Sequence, residues 1–187
     1  MSDPVQTQDL VPAAIHAHVM AEAERIQGWG EAAERTARDE VNQPTINNWL
    51  EAMGIDSPRF RSGEAPPSMA QVWTMYGLGG TPADDDPLHS MMRVLNEAGF
   101  TAVLGTNSEQ SYDRYLEVGE QLRITTALDS VVGPKATGMG VGYFVTSRST
   151  WYVDHPAPDG GEATPERVAT MLFRVLKFIP KKENAGG

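Results

Sequence analysis

The feature that most constrains this chain is a change of hydrophobic period near Phe100. Before it, apolar residues recur at helical spacing and are broken up by glycine and proline. After it, they alternate at period two over long runs. Leu122, Ile124, Thr126 and Leu128 face away from Arg123, Thr125 and Ala127; Met139 to Val153 is rich in β-branched and aromatic residues; Ala169, Met171, Phe173, Val175 and Lys177 alternate with their neighbours. Period-two alternation predicts strands, here longer than the usual run of about five or six residues. Long consecutive strands after a helical half predict an α+β fold with an antiparallel sheet. They exclude a doubly wound parallel sheet, which needs alternating strands and helices.

In the first half, Leu10, Ala14, Val19, Ala23 and Ile26 predict helix within residues 9–39, with a break at Gly28 and Gly30. A second helix runs from Pro44 to Met53. Asn42 suits its N-cap, proline suits a first turn and Gly54 stops it; Ile46, Trp49, Leu50 and Met53 form its apolar face. Residues 54–87 are rich in Gly and Pro, and long loops in compact domains usually carry function. Between their breaks lies the apolar segment Met69 to Tyr76. A short helix from Pro87 to Ala98, capped by Asp86 and ended by Gly99, precedes a strand over Phe100 to Ser111 in which a bulge is an open alternative. Gly133-Pro134-Lys135 reads as a turn and His155 to Pro165 as a polar loop; residues 1–8 and Lys181 to Gly187 read as polar ends.

A chain of 187 residues is about one domain and can bury a substantial core. Its net charge of -10 and lack of a basic stripe exclude sequence-independent nucleic-acid binding, which needs clustered Lys and Arg. An anionic ligand would need local basic residues. With no cysteine, disulfides and thiol catalysis are excluded, and the composition is compatible with a reducing compartment. The first residues lack a signal-peptide pattern, and no apolar run approaches the length of about 20 residues needed to span a bilayer. The expected location is cytoplasmic, with no membrane or nucleic-acid partner.

Just after the second helix the chain reads Gly54-Ile55-Asp56-Ser57-Pro58-Arg59-Phe60, followed by a Pro-Pro-Ser-Met segment and the long strands. This layout resembles the MaoC-like hydratases of the hot-dog fold, whose active pattern is Gly-Asp-x-Asn-Pro-x-His. Aligned on Gly54 and Pro58, the acid position holds Ile55, the Asn position Ser57 and the His position Phe60. Ser111 to Leu122 resembles the family's segment entering the second long strand, with Tyr115 for its Pro and Glu120 for its Asp. Residues 148–153 and 171–178 resemble its last two strands. More narrowly, 42–49, 71–75, 95–101 and 131–135 look like the amino-terminal domain of the larger subunit of actinobacterial steroid side-chain enoyl-CoA hydratases. The match covers roughly residues 40–180, which divides the chain into an amino-terminal helical extension (1–39), a MaoC-like hot-dog domain (40–180) and a linker-like tail (181–187). The Gly/Pro-broken 65–87 region suggests a shortened central helix.

The resemblance implies a subunit of a heteromeric hydratase that adds water to an α,β-unsaturated steroid side-chain CoA thioester in cholesterol catabolism. A smaller MaoC-like subunit would carry the catalytic Asp and His, the two pairing as a double hot dog and then as an α2β2 heterotetramer. This chain alone would be inactive. In that subgroup the larger subunit continues into an OB-fold-containing domain that contacts a thiolase-like aldolase; the end at Glu183 to Gly187 reads as a linker, of a truncated or a stand-alone version. No cofactor is expected beyond the coenzyme A of the substrate.

Hydrating an enoyl thioester needs a carboxylate and imidazole to activate water and move a proton, and N–H donors, often at a helix N-terminus, for the enolate oxyanion. Phe60 transfers no protons. Asp56 stands one position from the expected acid, either acting after a loop shift or simply solvated. Of the histidines, His16 and His18 lie in the first helix, His155 lies beside Asp154, and His89 begins a helix after Asp84-Asp85-Asp86. That Asp run reads as cap and turn and lacks the spacing of a calcium loop, so no metal is expected. Gly138 to Gly142 starts a strand and is no dinucleotide fingerprint. Trp73, Met75 and Tyr76 are candidates for a substrate wall or ordinary core. Arg114, Lys135, Arg148 and Lys177 are candidates for CoA phosphates or plain surface charges. Two alternatives remain: an acyl-CoA-binding or assembly module without hydratase chemistry, and a self-sufficient homodimeric hydratase using Asp56.

Overall fold

Three strands of 15, 16 and 17 residues form the centre of the molecule. The computed structural model describes residues 10–156 and 159–181. In chain order the elements are α1 (Ala13–Gln27), β1 (Ala32–Thr36), α2 (Gln43–Met53), α3 (Pro58–Arg61), β2 (Glu64–Ala65), a 3-10 turn (Pro67–Met69), α4 (Ala70–Trp73), α5 (Pro87–Glu97), β3 (Ala102–Tyr112), β4 (Leu116–Glu117), β5 (Leu122–Ala136), β6 (Gly140–His155) and β7 (Thr164–Pro180). The antiparallel five-stranded sheet has the order β1-β5-β6-β7-β3, so β1 and β3 are its edges. The α+β class and the hot-dog arrangement, a long sheet carrying helices on one face, are both present.

Helix boundaries follow local chemistry. The Asn42 side chain accepts from Thr45 N, and Gly54 closes α2 in the left-handed region at φ 66. Asp86 accepts from His89 N at the start of α5, and Phe100 N donates to Leu95 O at 2.8 Å beyond its end. The helix on the sheet, α5, has 11 residues, about 16 Å at 1.5 Å per residue.

The inner face of the sheet carries two cores. At one end α2, the 3-10 turn and α4 place Ile46, Leu50, Met69 and Trp73 on Leu122, Ile124, Trp151 and Val153. At the other, α1 and α5 place Val19, Ile26, Met91 and Leu95 on Leu128, Val131, Tyr143 and Val145.

The structure corrects three local expectations. Residues 32–36, read as helical, form edge strand β1, because Gly30 turns the chain at φ 68 and β5 offers a pairing partner; tertiary pairing overrides the helical preference of Ala, Glu and Arg. Gly133-Pro134-Lys135 is no turn but lies inside β5 as a bulge. A Cβ at Gly133 would stand 2.7 Å from the Tyr143 ring, so glycine permits the approach, and a bulge is where a strand tolerates proline. The expected loop His155 to Pro165 is shorter than read, since β6 reaches His155 and β7 begins at Thr164. The strand expected over 100–111 is β3, with its bulge between Gly105 and Asn107. The expected polar ends 1–8 and 182–187 lie outside the described residues. Among the described residues no helix is long and apolar enough to cross a membrane.

Candidate functional site

The degenerate motif sits on the turn between α2 and α3. Gly54 reverses the chain, and Ile55 N donates to Leu50 O at 2.9 Å. This turns the Ile55 side chain onto the first core cluster, where Phe60 from α3 also packs. Phe60 additionally meets Tyr115, ring centroids 5.9 Å apart. The two positions where the active pattern places an acid and an imidazole are therefore filled by apolar side chains resting on the core. Asp56 points the other way: its side chain is 91% exposed and Oδ1 lies 3.2 Å from Arg61 Nε. So exposed, it stands in solvent, away from the apolar surface that Ile55 and Phe60 make.

The start of α5, a natural place for oxyanion donors, already has its own capping acceptor. The buried Asp86 carboxylate takes His89 N at 2.8 Å, Asp86 O takes Ser90 N at 2.9 Å, and Pro87 has no N–H. An anion already occupies the positive end of the helix dipole. His89 is thus part of a capped turn. His16 Nδ1 lies 3.0 Å from Tyr143 OH, and His155 Nε2 lies 2.7 Å from Glu166 Oε2.

The first core cluster is rimmed by five partly exposed apolar side chains: Trp49, Ile55, Phe60, Val72 and Met171. Each rests on the same core and keeps part of its surface in solvent, which makes the rim a candidate apolar wall. The sequence puts Trp49 on the apolar face of its helix and shows Ile55 and Phe60 only as losses; the signal available was that both replacements are apolar. The candidates Trp73, Met75 and Tyr76 separate. Trp73 is 6% exposed and belongs to the core, whereas Met75 is 64% and Tyr76 37% exposed. Arg35 stacks on the Tyr76 ring at 4.0 Å.

No family model matches the chain. It is 42% identical over 167 residues to the 3-oxo-4,17-pregnadiene-20-carboxyl-CoA hydratase alpha subunit of Mycobacterium tuberculosis, across 83% of this chain and 50% of that protein. It is 33% identical over 178 residues to a protein of Thermomonospora curvata named a probable enoyl-CoA hydratase alpha subunit, across 84% of this chain and 52% of that one. A chain of the crystal structure of the ChsH1-ChsH2 complex from Mycobacterium tuberculosis superposes with a TM-score of 0.78 at 40% identity, over 90% of this chain and 96% of that chain. The chain belongs to the MaoC-like hot-dog family. This MaoC-like domain spans about half the length of the curated relatives it matches.

The four basic candidates of the MaoC-like domain do not form one cluster. Arg114 donates to Glu166 at 2.8 and 2.9 Å and to Glu120 at 3.1 Å. It lines an open cleft of ≈ 470 Å³ with Arg59, Tyr112 and Tyr115, where Glu64, Asp113 and Glu117 outnumber the cations. Arg148 is paired with Asp129. Lys177 is 4% exposed; its Nζ donates to Thr101 O at 2.8 Å, and burial pushes its pKa down. Lys135 is exposed and makes no ion pair among the described residues. Arg114, through Glu120, lies near the start of β5 and Lys135 near its end.

Edge strand β3 completes the picture. Of its 11 residues all but Ala102 are exposed, and among the described residues only one side is paired, to β7. Natural sheets seldom leave so long an edge bare, because its free N–H and C=O groups template another strand.

Proposed function

We propose that this MaoC-like domain is the non-catalytic half of a heteromeric enoyl-CoA hydratase that adds water to an α,β-unsaturated steroid side-chain CoA thioester. The observation that carries this reading is the filling of the acid and base positions by Ile55 and Phe60, both packed on the core. A smaller MaoC-like subunit retaining Gly-Asp-x-Asn-Pro-x-His would supply the chemistry. Its carboxylate and imidazole would orient a water for attack on the β-carbon and deliver a proton to the α-carbon. The enolate oxyanion would be held by donors other than the α5 terminus, which Asp86 already occupies.

This chain's own part is steric and solvational. The rim of Trp49, Ile55, Phe60, Val72 and Met171 offers an apolar, adaptable surface for a fused-ring hydrocarbon, of the kind that lines ligand sites. Edge β3 supports continuation of the sheet into the partner, and doubling of the pair would give α2β2. A contact with a thiolase-like aldolase would be made through a further domain and not through these residues. The relatives named as hydratase alpha subunits support the reading.

The test is co-expression with a small MaoC-like subunit, followed by light scattering and an enoyl-CoA hydration assay. A mixed complex active only when both chains are present is the expected result. Turnover by the purified single chain would favour the homodimer, and absence of any complex would favour a binding module.

A further inference from the structure

The face of the sheet opposite the helices carries a second cleft, unrelated to the motif. It has a volume of ≈ 280 Å³ and is lined by Ser130, Val132, Lys135, Phe144, Thr146 and Arg174. Strand register explains the convergence. Ser130 pairs with Thr146 and Thr146 with Arg174, one row across β5, β6 and β7; Val132 pairs with Phe144 in the next row, and Lys135 with Gly142 in the row beyond. Period-two alternation puts all of these on one face, with neighbouring strands about 4.8 Å apart. Gly142 allows the close approach here, since a Cβ there would stand 2.2 Å from Lys177 O.

The chemistry of the lining is unusual for a protein of net charge -10. Two cations meet and no carboxylate lines the cleft. The nearest acid–base pair, Arg148 with Asp129, is already self-neutralised. Arg174 stacks on the Phe144 ring at 5.4 Å and contacts Thr106 Oγ1 at 3.4 Å, but neither it nor Lys135 has an ionic partner among the described residues. The hydroxyls of Ser130 and Thr146 likewise make no hydrogen bond among those residues. Four donors, two of them charged, thus converge beside an aromatic face. Cations with hydroxyl donors suit phosphate oxygens, and an aromatic face beside a guanidinium suits a nucleobase.

We propose that this cleft binds the phosphorylated nucleoside end of a nucleotide-bearing ligand, with Lys135 and Arg174 on phosphate and Phe144 against the base. The volume is at or below the small end of ligand pockets, roughly 300–1,000 Å³, so it takes a head group and not a whole thioester. Two sources share this chemistry: a free adenosine phosphate and the 3′-phospho-ADP end of coenzyme A. The second source rests on the hydratase reading. It fits the placement, because Arg174 lies on β7, one strand in from open edge β3, where the partner subunit is expected.

The test is calorimetric titration of the full chain with 3′,5′-ADP, coenzyme A, pantetheine and inorganic phosphate, each at low and high salt. Saturable binding of 3′,5′-ADP and coenzyme A is expected, weakening with salt, with none for pantetheine. Lys135→Gln and Arg174→Gln, both at exposed positions, should each weaken it about tenfold, about 1.4 kcal/mol. Arg148→Gln, whose charge is already paired, should leave it unchanged. Coenzyme A binding tighter than 3′,5′-ADP would identify coenzyme A as the source, and equal affinity the nucleotide alone. No saturable binding of either, or an equal loss in Arg148→Gln, would overturn the proposal. Because binding is read without turnover, a chain that binds yet never supports hydration would defeat the hydratase reading and leave the cleft standing.

Discussion

The two ends of the same sheet are covered in different ways. Beyond Leu128, the 15-residue α1 and the 11-residue α5 lie across the strands, and Val19, Ile26, Met91, Leu95, Phe100 and Tyr143 are almost fully buried. Toward Leu122, the cover consists of α2, two four-residue helices and a 3-10 turn; Ile46, Leu50, Met69 and Leu122 are buried as completely, and both cores carry partly buried apolar neighbours, but here those neighbours include the motif residues Ile55 and Phe60. The closed end has the properties of a scaffold. The open end is covered by shorter pieces of helix, and the degenerate motif lies there. There apolar side chains stand at the acid and base positions, the arrangement that the proposed role, shaping a pocket without reacting in it, requires.

The sharpest way to break this comparison is to damage each end separately. Leu95→Ala at the closed end should destabilise the chain by about 2–5 kcal/mol, as buried Leu truncations do. Activity per folded complex should be unchanged, measured by denaturant titration beside the hydration assay. Phe60→Ala at the open end should cost less stability but lower kcat/KM for a ring-bearing thioester about tenfold or more, the size of an apolar pocket contact. A short-chain enoyl-CoA should be hydrated as before, and equal losses on both substrates would show that the rim does not read the rings.

A smaller effect concerns pH. The Arg114 guanidinium, and secondarily His155, lower the Glu166 pKa to about 2 from 4.5. A carboxylate depressed on folding stabilises the native state above its ordinary value, and that stability is lost as pH falls from about 4.5 to about 2. Glu166 is 40% exposed, so solvent screening keeps the contribution modest. Arg114→Met should flatten the acid limb of the stability curve in that window and leave its shape near neutrality unchanged.

The smallest expected change is at Lys177. Burial lowers the pKa of its amine, so the unfolded chain binds the proton more readily, and stability rises with pH from the folded pKa up to 10.5. Lys177→Met should remove that rise and shift stability at pH 7 by no more than about 1 kcal/mol; denaturant midpoints at pH 7 and pH 10 would show it.

What could be read from the sequence was local. The caps Asn42 and Asp86, the stop at Gly54 and the alternation of β5 to β7 depend on neighbours in the chain, and these elements form as read, with β5 and the β6–β7 pair running further than expected. The rest depends on partners distant in sequence. β1 is a strand only because β5 runs beside it, and Gly133-Pro134 sits in a strand because Tyr143 crosses it. Lys177 continues an apolar alternation, so its position on the inner face was legible, but nothing nearby in the chain announces that Thr101 O would receive its amine. At the site, the absence of the acid and base was legible from two residues. The apolar rim was not, because Trp49, Val72 and Met171 join Ile55 and Phe60 only through the folded core.

The central claim is most directly tested by exchanging carboxylates in the reconstituted complex. Asp56→Asn in this chain should leave the hydration rate unchanged, while Asp→Asn in the partner's Gly-Asp-x-Asn-Pro-x-His motif should abolish it. Loss of activity from Asp56→Asn in a correctly assembled complex would contradict the account and return the chemistry to this chain.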